Sequence, residues 1–207
     1  MCAMTDNKRK RDEERTEPVD VMIDIETFGT RAGCVICSIA AQTFSVKTGP
    51  GKQHFYERID TKTCEEIGLQ IEKETFDWWK SLPADSVASK EIFSPRRTRF
   101  HIRKVLEDFR SWLRSNHVKF IWAKGPDFDC TILAEAYRRY EMKPPWNYYD
   151  TCDVRTVMRL TKSLPKSITV VKSFGTLHYA PDDVTLQILQ ILPCLEFMEK
   201  VKSLGNK

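Results

Sequence analysis

Apolar residues in this chain come first in short runs with a two-residue beat, and later in longer stretches with a helical one. Val19-Asp20-Val21-Met22-Ile23-Asp24-Ile25 is short and rich in β-branched residues, and it predicts a buried strand. Gly29 and Gly33 punctuate a turn. Residues 34–44 predict a second strand, and Thr48-Gly49-Pro50-Gly51-Lys52 a hairpin turn into a third over 53–59. Three consecutive strands joined by short turns predict an antiparallel meander.

The middle of the chain turns helical. Thr61 or Thr63 is placed to cap a short helix to Gly68, and residues 74–82 carry Phe76, Trp78 and Trp79. From about 98 to 115, Ile102, Val105, Leu106, Phe109, Trp112 and Leu113 recur at helical spacing. Lys119-Phe120-Ile121-Trp122-Ala123 predicts a fourth strand, broken by Gly125-Pro126. A helix over about 128–141 follows, stopped by Pro144-Pro145, and residues 146–149 predict a fifth short strand. Asp150 or Thr151 caps another helix to about Leu160. The last helix starts near Pro181 and buries Val184, Ile188, Ile191, Leu195 and Met198, with Pro193 predicted to kink or divide it. Three strands followed by alternating strands and helices predict one α/β domain over 19–207, a mixed five-stranded sheet with helices on both faces. A charged, disordered tail over 1–18 precedes it.

Composition adds to this picture. Of 207 residues, 41% are hydrophobic and 11% aromatic, enough for a real core. No apolar run is long enough to span a bilayer, so no membrane partner is expected. The N-terminal charges have no apolar stretch behind them, which argues against a secretory signal. With seven cysteines, an odd count, this predicts reduced thiols in an intracellular protein. Lys8-Arg9-Lys10-Arg11 is a cluster that nuclear import receptors read in a eukaryotic cell; without that reading the expectation is cytoplasmic. The net charge is +4. Within the tail the cations are balanced by Asp6, Asp12, Glu13, Glu14 and Glu17. The excess therefore sits on the folded part and weakly favours polyanionic partners.

The acids carry the chemistry. Asp24 and Glu26 lie two apart at the end of the first strand, so both side chains share a face. Two such carboxylates repel; either they run into solvent or a bound cation compensates them. Asp127-Phe128-Asp129 opens a helix directly after the fourth strand, so one acid can cap and the other point into a site. Asp182 and Asp183 lie in the first turn after Pro181, about 100° apart, so only one faces a common centre. His178 precedes them on a loop. Oxygen-only ligands suit Mg²⁺ or Mn²⁺ rather than zinc. Two such ions about 4 Å apart form a clamp suited to in-line attack at phosphodiesters, with a histidine near neutrality as base for the attacking water. His54, His101 and His117 have no acidic context.

These residues resemble the DEDDh 3′→5′ exonucleases of the ribonuclease H-like superfamily. Asp24-Ile25-Glu26-Thr27 is similar to that family's first motif, Gly125-Pro126-Asp127-Phe128-Asp129 to its second, and His178-x-Ala180-x-x-Asp183 to its third. Phe55-Tyr56-Glu57-Arg58, Thr75-Phe76-Asp77-Trp78-Trp79 and Asp153-Val154-Arg155-Thr156 resemble the group around exonuclease VIII, phage exonuclease A and a mycobacterial exoribonuclease. The resemblance covers about residues 19–200. It implies that Asp24, Glu26, Asp129 and Asp183 hold two divalent ions and that His178 is the general base. It also implies that Thr27 and Phe28 line the pocket of the 3′-terminal nucleotide, and that the substrate is nucleic acid with a free 3′ end. Asp127 then supports the site from behind, Asp182 merely flanks it, and Asp153 either starts a helix or acts near the site.

From Val154 to Pro181 the chain carries no acid, while Arg155, Arg159, Lys162, Lys166 and Lys172 lead toward His178. Arg155 and Lys172 are accordingly expected to contact the substrate backbone. The alternative for each is a solvated loop, and for Arg96, Arg97, Arg99, Arg103 and Lys104 an exposed helical face. Of Trp78 and Trp79, at least one belongs to the core, and either can stack on a base. Cys34-x-x-Cys37 lacks a second ligand pair. A nucleic-acid-binding module without catalysis and a metal-dependent endonuclease are the rival functions. Oligomeric state is open, a homodimer being compatible with everything above.

Overall fold

The computed structural model describes residues 19–162 and 171–205. The tail with Lys8-Arg9-Lys10-Arg11, and Lys166, lie outside the described residues.

Five strands form one sheet in the order β3-β2-β1-β4-β5: β1 Val19–Thr27, β2 Ile36–Ser45, β3 Gly49–Arg58, β4 Val118–Ala123 and β5 Thr151–Asp153. The expected meander is present: β1 pairs antiparallel with β2, and β2 with β3. On its other side β1 pairs parallel with β4, and β4 with β5. The helices are α1 Thr61–Glu66, α2 Lys73–Ser81, α3 Val87–Phe93, α4 Ile102–Ser115, α5 Asp129–Arg139, α6 Val154–Leu160 and α7 Ala180–Gly205.

Period-two alternation on β1 separates two cores. Val21, Ile23 and Ile25 face one side, with Ile102, Val105, Leu106 and Phe109 of α4 and Ile132, Leu133, Ala136 and Tyr137 of α5. The Tyr137 hydroxyl donates to the Leu106 carbonyl at 2.7 Å and ties these two helices together. Met22 faces the other side, with Phe44, Trp122, Val154 of α6, and Val184, Ile188 and Ile191 of α7. The mixed sheet with helices on both faces is therefore observed.

Several elements differ from the sequence expectation. Residues 146–149 do not form the fifth strand; a single 3₁₀ turn, Tyr148–Asp150, leads into β5 instead. Pairing with Ile121, Trp122 and Ala123 decides this, a long-range term invisible in local pattern. The cap of α1 is Asp60, whose carboxylate accepts from the Lys62 amide; Thr63 points inward and accepts from the Ile102 amide at 3.0 Å. The cap of α6 is Asp153, accepting from the Arg155 and Thr156 amides, as the helix-start reading expects. Helix α3 was not expected at all, being short and capped by Ser86. Pro193 does not divide α7, which runs unbroken for 26 residues. Helix α4 starts only at Ile102, so Arg96, Arg97 and Arg99 are no helical face. Arg97 pairs with the buried Glu91 at 2.9 Å, and Arg99 caps the α3 carbonyls of Glu91 and Ile92.

Candidate active site

Strand β1 outruns β4. Their pairing stops at Met22, while β1 continues to Thr27. The chain also departs in opposite directions on the two sides of β1, so a crevice opens beyond the carboxyl ends of β1 and β4. Two groups fill the vacated ladder. The Asp129 carboxylate, at the start of α5, accepts from the Ile25 amide at 3.2 Å. The Trp79 indole, from α2, donates to the Thr27 carbonyl at 2.8 Å. Above them lies a cleft of about 630 Å³.

Asp24 and Glu26 continue the face begun by Met22, into this cleft. The first turn of α7 brings Asp183 to them, and one carboxylate oxygen from each of the three lies within 4.8 Å of the others. Asp129 lines the same cleft, almost wholly buried. Asp127 is exposed, and Asp182 turns away to accept from the Thr176 amide. The four acids of the family motifs thus open on one cleft, three of them in a tight group.

Their electrostatics are unfavourable as they stand. Burial, then the charges of Asp129, Glu26 and Asp183, push the Asp24 carboxyl well above its ordinary value. Burial, then Asp183 and Asp129, push Glu26 up to about 8. Burial raises Asp129 to about 7, although the Ile25 amide and the Arg155 guanidinium pull it down. Asp183 is raised by burial, against the backbone N–H of His178. Buried carboxylates that repel one another and whose pKa values are all raised are a set that a cation would stabilise. A second feature points the same way. Gln187, one turn beyond Asp183 on α7, donates to Asp24 at 2.7 Å, while its own buried carbonyl oxygen has no partner among the described residues. An all-oxygen donor set with an orphaned acceptor beside it fits a hydrated hard cation such as Mg²⁺ or Mn²⁺.

His178 is exposed at the rim, in the left-handed region at φ 60°. Its ring meets Trp78 edge-on, centroids 4.9 Å apart. The tryptophan pair divides as helical geometry requires: Trp79 is core, and Trp78, 41% exposed, lines the cleft. Arg155 also lines the cleft. Its guanidinium lies over Gly125, whose φ of 112° is what calls for glycine; a Cβ there would sit 2.0 Å from Nη1 and push the arginine aside.

Phe28 does not line the cleft. It is buried against Phe76, centroids 4.9 Å apart, and Phe93, because the unforeseen α3 supplies the second ring that draws it inward. Thr27 does reach the cleft, but its hydroxyl is bonded to the Gly29 carbonyl at 2.6 Å. Lys172 is exposed and outside the lining. Sequence reasoning missed Lys124 and Gln187, both cleft-lining. The spacing of Asp183 and Gln187, one helical turn, was the available signal for the second.

Comparison with known proteins agrees with this architecture. Among solved structures, E. coli exonuclease I in complex with a dT13 oligonucleotide superposes with a TM-score of 0.68 at 14% identity. The match covers 90% of this chain and 43% of exonuclease I, so the chain spans less than half the length of that enzyme. Cell-death related nuclease 4 (CRN-4) gives 0.55 at 14% identity, over 88% of this chain and 64% of that one. The nuclease domain of 3′hExo, a DEDDh family member bound to rAMP, gives 0.56 at 12% identity, over 90% and 94%. The fold is thus the ribonuclease H-like α/β fold of exonucleases. Residues 19–192 match the family model of the 3′-5′ exoribonuclease Rv2179c-like domain, and the chain belongs to that family. No curated protein matches it. Among the described residues no helix is long and apolar enough to cross a membrane.

Proposed function

We propose that this protein is a 3′→5′ exonuclease that hydrolyses the terminal phosphodiester of a nucleic acid and releases nucleoside 5′-monophosphates. The observation that carries it is the convergence of Asp24, Glu26 and Asp183 within 4.8 Å at the floor of a cleft rimmed by His178. Family membership supports the same reading.

In this reading Asp24, Glu26, Asp129 and Asp183 hold two divalent cations, Mg²⁺ or Mn²⁺. Bound there, the cations would neutralise charge developing on the scissile phosphate and favour hydroxide at neutral pH. The chain's own side chains do the rest. Asp129 is fixed by the Ile25 amide and Asp24 by Gln187, so neither swings when substrate arrives. His178, free at the rim, takes the proton of the attacking water at a ring nitrogen, and the 3′-oxygen of the penultimate nucleotide leaves. Trp78 offers a face for the terminal base beside Thr27. Arg155 and Lys124, cations that line the cleft, meet the phosphates, and Lys172 acts farther along the strand. The core position of Phe28 leaves it shaping the pocket from behind.

The test is product analysis on matched single- and double-stranded DNA and RNA oligomers, with Mg²⁺, with Mn²⁺ and with excess EDTA. The expected result is metal-dependent release of 5′-mononucleotides from the 3′ end. Binding without turnover would indicate a recognition module. Cleavage of a 3′-blocked oligomer would indicate an endonuclease.

A further inference from the structure

His178 combines an accessible position with an uncommon backbone conformation. It is exposed and has a left-handed backbone, which a side chain adopts only when its surroundings impose it. The surroundings that do so lie on either side in the chain. Before it, Gly175 is also left-handed, at φ 58°. The Asp182 carboxylate presses on that glycine so closely that a Cβ would lie 2.3 Å from Oδ2. The same oxygen accepts from the Thr176 amide at 2.7 Å. After it, the Tyr179 carbonyl accepts from the amides of Asp182 and Asp183 at 2.8 and 3.1 Å, which opens α7. The Tyr179 ring packs edge-on against Tyr56, centroids 5.7 Å apart, and Tyr56 donates to the buried Glu91 at 3.0 Å. Residues 175–183 therefore form a closed turn, and His178 is its apex.

We propose that Asp182 is a positioning residue for His178, locking the 175–179 turn onto the first turn of α7. The two neighbouring aspartates then divide the labour: Asp183 faces Asp24 and Glu26, while Asp182 faces backward and holds the residue that must approach them. The lock also explains why position 175 is glycine, since any side chain would displace the carboxylate. This inference rests on reading His178 as the general base.

The experiment compares Asp182→Ala, Asp182→Asn and His178→Ala in the full chain, on a single-stranded oligonucleotide with a free 3′ end and saturating Mg²⁺. Thermal melts establish that each variant is folded. Asp182→Ala is expected to lower kcat about 10–100-fold while KM changes less than about 2-fold. Asp182→Asn keeps an oxygen for the Thr176 amide and is expected to restore kcat to within about 3-fold of the parent. Amide hydrogen exchange across residues 173–179 accelerates in the alanine variant and not in the asparagine one. Parental kcat in Asp182→Ala overturns the proposal. So does an asparagine variant as slow as alanine with unchanged exchange, since charge beside Asp183 would then be the cause. If His178→Ala itself retains full turnover, the base assignment falls and this inference with it. If His178→Ala is inactive while Asp182→Ala is not, the positioning role alone falls.

Discussion

The two halves of the proposed active site are built from opposite materials. Asp24 and Glu26 belong to the central strand, hydrogen-bonded within the sheet, with side chains backed by α7. His178 stands on an exposed turn, strained and held by side-chain clips. The difference follows from what each must do. Like charges at close range cost less when rigid neighbours and a cation fix their spacing, and a strand supplies that rigidity. A base that exchanges protons with solvent must instead be accessible, and accessibility in a folded chain comes from loops.

The contrast can be broken from the acidic side first. Asp24→Asn and Asp183→Asn are expected to lower turnover by about 10³-fold or more, as EDTA does, because the cations lose a ligand that nothing nearby replaces. Both variants should stay folded, with a melting temperature at or above the parent's in the absence of metal, since each removes a repelling charge. Full activity in either purified variant would contradict the mechanism. On the other side, His178→Ala is expected to cost about 10²–10⁴-fold in kcat while leaving the metal concentration for half-maximal stabilisation unchanged. A shift in metal affinity as large as the loss in rate would place His178 among the ligands.

A smaller effect sharpens the same contrast through pH. Glu26 and Asp129 are raised from ordinary values of 4.5 and 3.8 to about 8 and about 7. Between those limits the folded protein binds more protons than the unfolded one. Stability of the metal-free protein therefore falls as pH rises through that window. Melting temperature without metal should be a few degrees lower at about pH 8 than at about pH 5, and Mg²⁺ should recover most of it at the higher pH. A metal-free melt that is flat across this range would mean the carboxylates are not strained together. Smallest is Arg155→Ala, expected to raise KM and to flatten the log–log salt dependence of binding by about 0.7 for a single-stranded substrate, with the catalytic step little changed.

Much of this was legible from the chain, and the pattern of what was not is informative. Asp24 and Glu26 could be paired from spacing alone because a strand's two-residue period is a local property of the backbone. The helices α4 and α5 could be placed because their apolar stripes repeat over several turns. Strand β5 was misplaced because only three residues pair, and their partner β4 lies far away in the chain. Phe28 was assigned to the pocket because motif position cannot reveal that Phe93, on a helix of seven residues, would take it into the core. The exonuclease motifs identified four acids. They did not identify Gln187 behind Asp24 or Lys124 at the cleft wall, nor which of Trp78 and Trp79 meets the His178 ring more closely in the cleft.

The sequence by itself determined the beats of strand and helix, the acid types at their ends and the chemistry those oxygens can support, because each is set by residues within a few positions of one another. Tertiary structure alone decided which carboxylates meet, which tryptophan faces the cleft, and how Asp182 turns back on the loop before it. Those outcomes depend on β1 overrunning β4, and on α7 packing across β1, β2 and β3 so that its first turn brings Asp183 to Asp24 and Glu26.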